Sequence, residues 1–459
     1  MGVVCAFALP HPPLAVPAVG RGQELLVEKT VRGLQEAAGL LADRNPDAVV
    51  FATPHGTVYS DYFHISPGES ARGDFSRFGA GGAAYETAYD SRLALEIGRA
   101  AGEMGLPAGH RGEREKALDH GVLVPLHYIR QKTRAPAVRV SMSGMDAAAH
   151  YMMGQAVARA AENLGRKIAV VASGDMSHKL SANGPYGLHG DGAEFDRLVT
   201  GILADADFSG LFSVPESLRA NAGECGFGSF MLLAGCLDRL AVSVAAKSYE
   251  APLGVGYGVA AYDVVGSDGS RNFLERHESG LKAEIEEARK TEGPYRGLAR
   301  RALEHFVETG RPFPAGDAPE KLRGRRAGVF VSLHKHGRLR GCIGTIAPAA
   351  GTLAEEIIQN AVSAGTADER FMPVSARELP FLAYKVDVLD PPEDIGGPGQ
   401  LDPAAYGVIV ESGRKRGLLL PNLEGIGTAE EQIAVAKSKA GIGPGEKVRL
   451  RRFKVTRHE

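Results

Sequence analysis

The feature that most constrains this chain is a repeated pairing of a short apolar segment with a histidine-bearing turn. The pairs are Val3 to Leu9 before His11, Ala48 to Thr53 before His55, and Ile168 to Ser173 before His178. Short apolar runs bounded by turn residues predict buried strands, and the carboxyl ends of such strands form the ligand-binding edge of an open α/β sheet. We therefore expect the three histidines to converge on one site, and a metal ion is the ligand that such a group favours.

Composition limits the class of protein and its partners. A chain of 459 residues with 44% hydrophobic content is long enough for two or three domains, each with its own core. Its formal net charge of -2 provides no general attraction to nucleic acid or to an anionic membrane. The four scattered cysteines indicate neither a disulfide framework nor a structural zinc motif. We expect a cytoplasmic protein with no signal peptide and no membrane span.

The first part of the chain predicts an α/β domain over residues 1–266. Helical spacing of apolar residues from Leu25 to Leu41 and from Ala147 to Leu164 alternates with strand-like runs from Ala137 to Met142 and from Val255 to Val265. Such alternation is typical of a sheet covered by helices. The polar, glycine-rich stretch from Gly266 to Ser270 then predicts the domain boundary.

The remainder predicts a smaller α+β domain over residues 275–459. A charged helical segment runs from His277 to Glu308, and two hairpins follow, from Gly328 to Ile346 and from Tyr406 to Leu420. A final strand is predicted from Lys447 to Thr456. Strands that pair through hairpins favour an antiparallel sheet in this domain.

His11 and His55 are the candidate imidazole ligands, because Pro-flanked turns fix the backbone that aims each ring. Two imidazoles and one carboxylate on one face of an iron ion leave open positions for substrate and dioxygen. Glu224 is our candidate carboxylate, since it lies in a glycine-flanked turn ahead of a predicted helix. Compensation of helix N-terminal charge is the alternative interpretation of Glu224. Asp175 and Glu86 are alternative carboxylates, and the thiolate of Cys225 could replace them.

His178 and His120 remain free to move protons, because histidine titrates near neutral pH. An aspartate lies close to each in sequence, Asp175 near His178 and Asp119 beside His120, and each aspartate could orient its ring. A role in capping the helix that starts near residue 120 is the alternative interpretation of His120.

Four motifs together resemble the class III (LigB-type) extradiol ring-cleavage dioxygenases and their Memo-like relatives. The motifs are Pro10-His11-Pro12-Pro13, Thr53-Pro54-His55-Gly56, Asp119-His120-Gly121 and Ser173-Gly174-Asp175-Met176-Ser177-His178. The resemblance covers residues 1–266 and implies Fe(II) held by His11, His55 and Glu224, with His178 as base and His120 as acid. It also implies a catechol-type aromatic substrate, dioxygen as co-substrate and a homo-oligomer. The Memo-like branch uses a cysteine near the position that corresponds to Glu224, and the resemblance therefore also makes Cys225 a candidate third ligand.

Three further motifs resemble the AmmeMemoRadiSam system protein A domain over residues 275–459. They are Leu339-Arg340-Gly341-Cys342-Ile343-Gly344, Asp368-Glu369-Arg370-Phe371 and Gly417-Leu418-Leu419-Leu420-Pro421. Arg340 beside Cys342 could bind an anion or lower the pKa of the thiol, although a plain structural hairpin explains the same run.

Three functional hypotheses follow from the sequence. The first is a non-haem Fe(II)-dependent extradiol dioxygenase. The second is a metal-binding member of the AmmeMemoRadiSam system that works with a radical SAM partner in a modification or assembly step, without ring cleavage. The third is a zinc hydrolase, because Zn²⁺ also binds His/His/Glu sets.

Overall fold

A computed structural model describes residues 2–423 and 425–459. The chain forms two compact units, one ending at His277 and the other beginning at Glu278. The predicted boundary from Gly266 to Ser270 lies shortly before this division, at the end of the last strand of the first unit. No helix among the described residues is both long and apolar enough to cross a membrane.

The first unit is an α/β domain whose strands and helices alternate along the chain. Its strands are β1 Val3–Leu9, β2 Ala48–Thr53, β3 Phe63–His64, β4 Ser70–Phe75, β5 Ala80–Ala88, β6 Ala108–Gly109, β7 Ala137–Ser141, β8 Ile168–Ser173, β9 Leu240–Glu250 and β10 Tyr257–Ser267. Its helices are α1 Pro17–Gly20, α2 Glu28–Arg44, α3 Ser91–Glu103, α4 His120–Ile129, α5 Ala147–Asn163, α6 Gly190–Asp205, α7 Glu216–Ala222 and α8 Phe227–Cys236. The predicted α/β class is confirmed.

The central sheet of this unit has six strands in the order β7-β2-β8-β1-β10-β9. Strands β7, β2, β8 and β1 are parallel, whereas β10 and β9 are antiparallel additions at one edge. Every residue of β2 and β8 is buried, as expected for parallel strands covered on both faces. Helices α3, α5, α6 and α8 contribute to the core on one face, and α2 and α4 to the core on the other.

Strand order positions the site. Because β8 lies between β1 and β2 and is parallel to both, the ends of the three strands are neighbours at one edge of the sheet. Leu9 pairs with Ser173, and Ala172 pairs with Ala52. The turns that follow these strands therefore start side by side.

The second unit is α+β with two four-stranded sheets, in the orders β12-β11-β13-β18 and β14-β17-β15-β16. Helix α9, Phe273–Lys290, runs across the division between the two units. The further helices are α10 Pro294–Thr309, α11 Glu320–Arg323, α12 Leu353–Thr366 and α13 Ala429–Lys439. The strands are β11 Gly328–Lys335, β12 Arg338–Gly344, β13 Leu382–Leu389, β14 Glu393–Ile395, β15 Gly407–Ser412, β16 Lys415–Leu419, β17 Arg449–Phe453 and β18 Val455–His458. Both predicted hairpins are present, as β11–β12 and β15–β16.

Two predictions about this part of the chain were wrong in detail. The charged segment from His277 to Glu308 is two helices, α9 and α10, because Pro294 lacks an N–H and begins a new helix. The predicted final strand is also two strands, β17 and β18, which pair in different sheets on either side of Lys454.

Candidate metal centre

The predicted convergence of His11 and His55 is present at the carboxyl edge of the central sheet. Their Nε2 atoms are 3.0 Å apart, and the Cys225 Sγ is 3.6 Å from the Nε2 of His11. The ligand atoms of all three residues lie within 4.8 Å of one another. Two imidazoles and a thiol in this arrangement are a donor set for a transition metal such as iron or zinc.

The hydrogen bonds of His11 fix which of its nitrogens is free. The hydroxyl of Ser173 donates to the carbonyl of Gly121, so it accepts a hydrogen bond from Nδ1 of His11 at 2.9 Å. The Nε2 lone pair of His11 then points toward His55 and Cys225. A second partner that holds the ring tautomer in this way is characteristic of metal-binding histidines.

Burial keeps the imidazoles neutral. Burial is the largest cause of the lowered pKa of His11, which lies well below the usual range for histidine. The nearby ring of His55 lowers this pKa further. The pKa of His55 is also lowered by burial, partly offset by Asp119 and Asp175. Metal ligation requires neutral imidazole, so this environment favours cation binding over protonation.

Glu224 and Cys225 differ in what their side chains contact. The carboxylate of Glu224 accepts the backbone N–H of Phe227 at 2.7 Å, at the start of α8, a position that fits the compensation of helix N-terminal charge given above as its alternative interpretation. Cys225 Sγ instead accepts the N–H of Asp175 at 3.2 Å and lies against His11. Burial raises the pKa of both groups, that of Glu224 to about 7 and that of the Cys225 thiol well above its usual range, so their contacts alone distinguish them. The geometry thus favours Cys225 as the third ligand.

Asp175 lies beside the ligand group but is held by the backbone. One carboxylate oxygen accepts the N–H of His11 at 2.8 Å, and the other is 3.8 Å from the His11 Nε2. Burial raises its pKa to about 6. Asp175, His178 and Cys225 form a second group whose ligand atoms lie within 4.8 Å of one another. Glu86, the other alternative carboxylate, is on β5 and outside both groups.

His120 and His178 line the same cavity of about 750 Å³ as His11 and His55. The ring of His120 stacks on His55, with 4.2 Å between ring centroids. His178 packs against Tyr186 at 5.0 Å, and its Nε2 is buried without a hydrogen-bond partner among the described residues. Burial lowers the pKa of both rings, that of His120 to about 3. Phe78 and Tyr257 add further aromatic surface to the cavity.

The aspartates next to these histidines in sequence have other partners. Asp119 accepts the hydroxyl of Thr53 at 2.6 Å, and Thr53 Oγ1 in turn accepts the N–H of His55 at 3.3 Å. Asp119 also faces the guanidinium of Arg139 at 3.7 Å. Asp119 therefore supports the turn that carries His55.

Arg139 is a buried support of this site that sequence reasoning missed. It lies in the middle of β7, where it donates to Ser66 and to the carbonyls of Glu115 and Ala117 at 2.6 to 2.8 Å. A single arginine inside an apolar strand run was the available signal, since buried arginines occur only where they are paired.

Comparison with known proteins identifies the family of each of the two units. Residues 5–260 match the family described as the catalytic LigB subunit of aromatic ring-opening dioxygenase, and residues 297–458 match the AMMECR1 family. The chain therefore belongs to the LigB family and has an AMMECR1 domain fused behind the LigB domain. This confirms the family resemblance inferred from the motifs.

Relatives match the chain over its whole length or over part of it. Protein CA_C1420 of Clostridium acetobutylicum is 38% identical over 99% of this chain and 98% of its own length. A Thermotoga maritima protein is 49% identical over 37% of this chain and 98% of its own length. The crystal structure of protein PH0010 from Pyrococcus horikoshii is 35% identical, with a TM-score of 0.33, and the match covers 36% of this chain and 88% of that one.

Proposed function

We propose that the LigB domain is a non-haem Fe(II) dioxygenase that opens the ring of a catechol-type substrate next to its two hydroxyl groups. The observation that supports this most is the grouping of His11, His55 and Cys225 in one cavity with two further histidines. The family is typified by aromatic ring-opening dioxygenases. Fe(II) bound there would supply a centre on which a catechol and dioxygen can bind together.

His11 and His55 are the proposed imidazole ligands, with Cys225 as the third ligand in place of Glu224, the carboxylate expected from the sequence. Three arguments support this set: the Nε2 lone pair of His11 is free, both imidazoles are kept neutral, and Cys225 Sγ is 3.6 Å from His11. A buried thiol binds a metal ion as thiolate and releases its proton.

His178 is the proposed base. Its ring lines the cavity, its buried Nε2 lacks a protein partner among the described residues, and its lowered pKa keeps the ring able to accept a phenolic proton. His120 is the proposed acid. Its pKa of about 3 keeps it neutral in the free protein, so it becomes an acid only when a negative charge enters the cavity and raises that pKa.

A second candidate function is supported by the thiol. Cys225 in place of a carboxylate departs from the 2-His-1-carboxylate set of iron oxygenases. The fused AMMECR1 domain accompanies it. In this alternative the LigB domain binds a metal ion without ring cleavage and works with a radical SAM partner in a modification or assembly step. Zn²⁺ is the alternative metal, because histidine and cysteine are both zinc ligands.

The test is metal analysis of anaerobically purified protein, followed by oxygen uptake with a panel of catechols on the same sample. The dioxygenase hypothesis predicts stoichiometric Fe(II), catechol-dependent uptake of oxygen and a yellow ring-opened product. Iron without uptake would overturn ring cleavage and favour the alternative, and zinc with hydrolytic activity would overturn both.

Matched variants test the ligand set separately from the activity. We expect His11→Ala and Cys225→Ala to lose metal, whereas Glu224→Gln retains it because the amide oxygen still accepts the N–H of Phe227 at the start of α8. His178→Phe should retain metal and lose turnover. Metal loss in Glu224→Gln with full occupancy in Cys225→Ala would restore the carboxylate as the ligand.

A further inference from the structure

A second cavity, of about 530 Å³, lies in the unit that begins at Glu278. Its floor is one face of the sheet β12-β11-β13-β18. Ser332 on β11 pairs with Cys342 on β12 and with Lys385 on β13, so three side chains form one row across the sheet. Val331 and Leu333, which alternate with Ser332, pack in the core on the opposite face. The polar face is therefore free for a ligand.

Cys342 is held in place on this floor. The hydroxyl of Ser332 donates to Cys342 Sγ at 3.2 Å. The backbone N–H of Cys342 donates to the carboxylate of Asp368 at 2.9 Å. Two nitrogens of the Arg370 guanidinium donate to the same carboxylate at 2.7 and 2.9 Å. The thiol thus has a fixed position beside a guanidinium that also lines the cavity.

Four cations line the cavity, and among the described residues carboxylate partners pair with three of them. Arg370 pairs with Asp368, Lys385 pairs with Glu459, and Arg457 pairs with Asp387. Lys439, at the end of α13, has no ion pair among the described residues. His334 also lines the cavity, and burial lowers its pKa, so it adds no charge at neutral pH.

Apolar side chains supply much of the remaining cavity lining. One is aromatic and the others are aliphatic: Phe330 and Leu339 on the strands of the floor, and Leu418, Leu419, Leu420 and Leu423. A cavity of this size accepts a small organic molecule, and such sites combine apolar walls with a few polar groups that orient the ligand.

We propose that this cavity binds a small organic carboxylate with an apolar body, placed with its charge near Lys439 and Arg457 and beside the thiol of Cys342. The apolar lining favours an organic anion over a bare inorganic one. The single excess positive charge matches a monoanion better than the higher charge of a phosphate group. This inference is independent of the function proposed for the LigB domain.

Alkylation of Cys342 by two electrophiles of similar size and different charge tests the proposal. Iodoacetate carries a carboxylate, whereas iodoacetamide is neutral. With either reagent the thiolate forms a bond to the iodine-bearing carbon, and iodide leaves. Rates at the Cys342 peptide are measured by mass spectrometry on the full-length protein, native and urea-unfolded. We expect the iodoacetate-to-iodoacetamide rate ratio to be up to about fivefold higher in the native state, since partly exposed charges contribute up to about 1 kcal/mol.

Lys439→Gln should bring this ratio back toward that of the unfolded chain. Lys415→Gln is the matched control, because Lys415 is an exposed lysine of the same unit that pairs with Glu446 outside the cavity. In a second arm, hexanoate should slow the reaction with iodoacetamide, whereas inorganic phosphate at equal ionic strength should not.

Three outcomes would overturn the proposal. The first is an equal rate ratio in native and unfolded protein, and the second is no native reaction with either reagent. Protection by phosphate but not by hexanoate would be the third, because it would exclude the carboxylate class.

Discussion

Replacing Arg139 by leucine should destabilise the LigB domain by about 3–5 kcal/mol. The side chain of Arg139 is 1% exposed and donates to Ser66 at 2.7 Å and to the carbonyl of Ala117 at 2.6 Å. Leucine fills much of the volume but leaves these acceptors and the charge of Asp119 buried without their partner. Removal of one member of a buried charged pair costs about 3–5 kcal/mol, a large part of the 5–15 kcal/mol that stabilises a typical domain.

A double variant separates lost charge pairing from lost packing. Asp119→Asn keeps an oxygen that accepts the Thr53 hydroxyl but removes the charge that faces Arg139. We therefore expect Arg139→Leu combined with Asp119→Asn to be more stable than the sum of the two single changes predicts. Arg139→Lys should fall between parent and leucine, because an ammonium group cannot reach all of the acceptors of a guanidinium fork.

Hydrogen exchange measured by mass spectrometry over a range of urea concentrations is the suitable assay. Peptides from β7 report the LigB domain, and peptides from residues 278–459 serve as the internal reference in the same sample. If Arg139→Leu lowered the unfolding free energy at β7 by less than about 1 kcal/mol, the role of Arg139 as a buried charge partner would be refuted. Loss of an exposed surface ion pair would cost as much. Additivity in the double variant would refute the role assigned to Asp119.

Three other changes test separate features of the LigB domain. Gly174→Ala should cost about 3 kcal/mol and weaken metal binding, because its Cβ would lie 2.1 Å from the Cα of Gly226, where neither backbone can yield; metal titration checks it. Burial raises the pKa of Asp196 to about 6, above its unfolded value, so its stabilising contribution is full below pH 4 and is lost as pH rises through 6. Between pH 4 and pH 7 the parent should therefore lose about 3 kcal/mol of unfolding free energy that Asp196→Asn does not lose, because asparagine does not ionise. Urea unfolding of both proteins at the two pH values measures this difference. Asp90→Ala should cost about 1 kcal/mol in the same assay, because the Asp90 carboxylate accepts the N–H of Leu93 at the start of α3.

The central strands could be predicted because burial on both faces produces uninterrupted apolar runs. β1, β2 and β8 have the predicted bounds. The edge strand β9 was missed, because its residues alternate between partly buried and exposed positions and directly follow an apolar helix. The apolar residues from Phe227 to Leu240 are spaced as in a helix and predict one that reaches the first residue of β9, whereas α8 ends at Cys236.

The choice between Glu224 and Cys225 could not be made from sequence, because neighbouring residues in a turn point in different directions. The turn begins at Gly223, whose φ of +64° is a left-handed conformation that favours glycine, and it leads into α8. Only the three-dimensional path shows that the carboxylate returns to the start of α8 while the thiol faces His11. The convergence of His11 and His55 was predictable because each follows the end of a buried parallel strand of the same sheet.

The site has one rigid side and one open side, and this division suits a metal-dependent reaction. On the rigid side, hydrogen bonds to Ser173 and Thr53 hold the turns of His11 and His55 against the sheet. On the open side, the rings of His120 and His178 pack against the rings of His55 and Tyr186 and line the cavity, so their protonation can respond to a ligand. A cation that binds the rigid side would raise the acidity of any ligand beside it, and the open side offers a proton acceptor where that proton would leave.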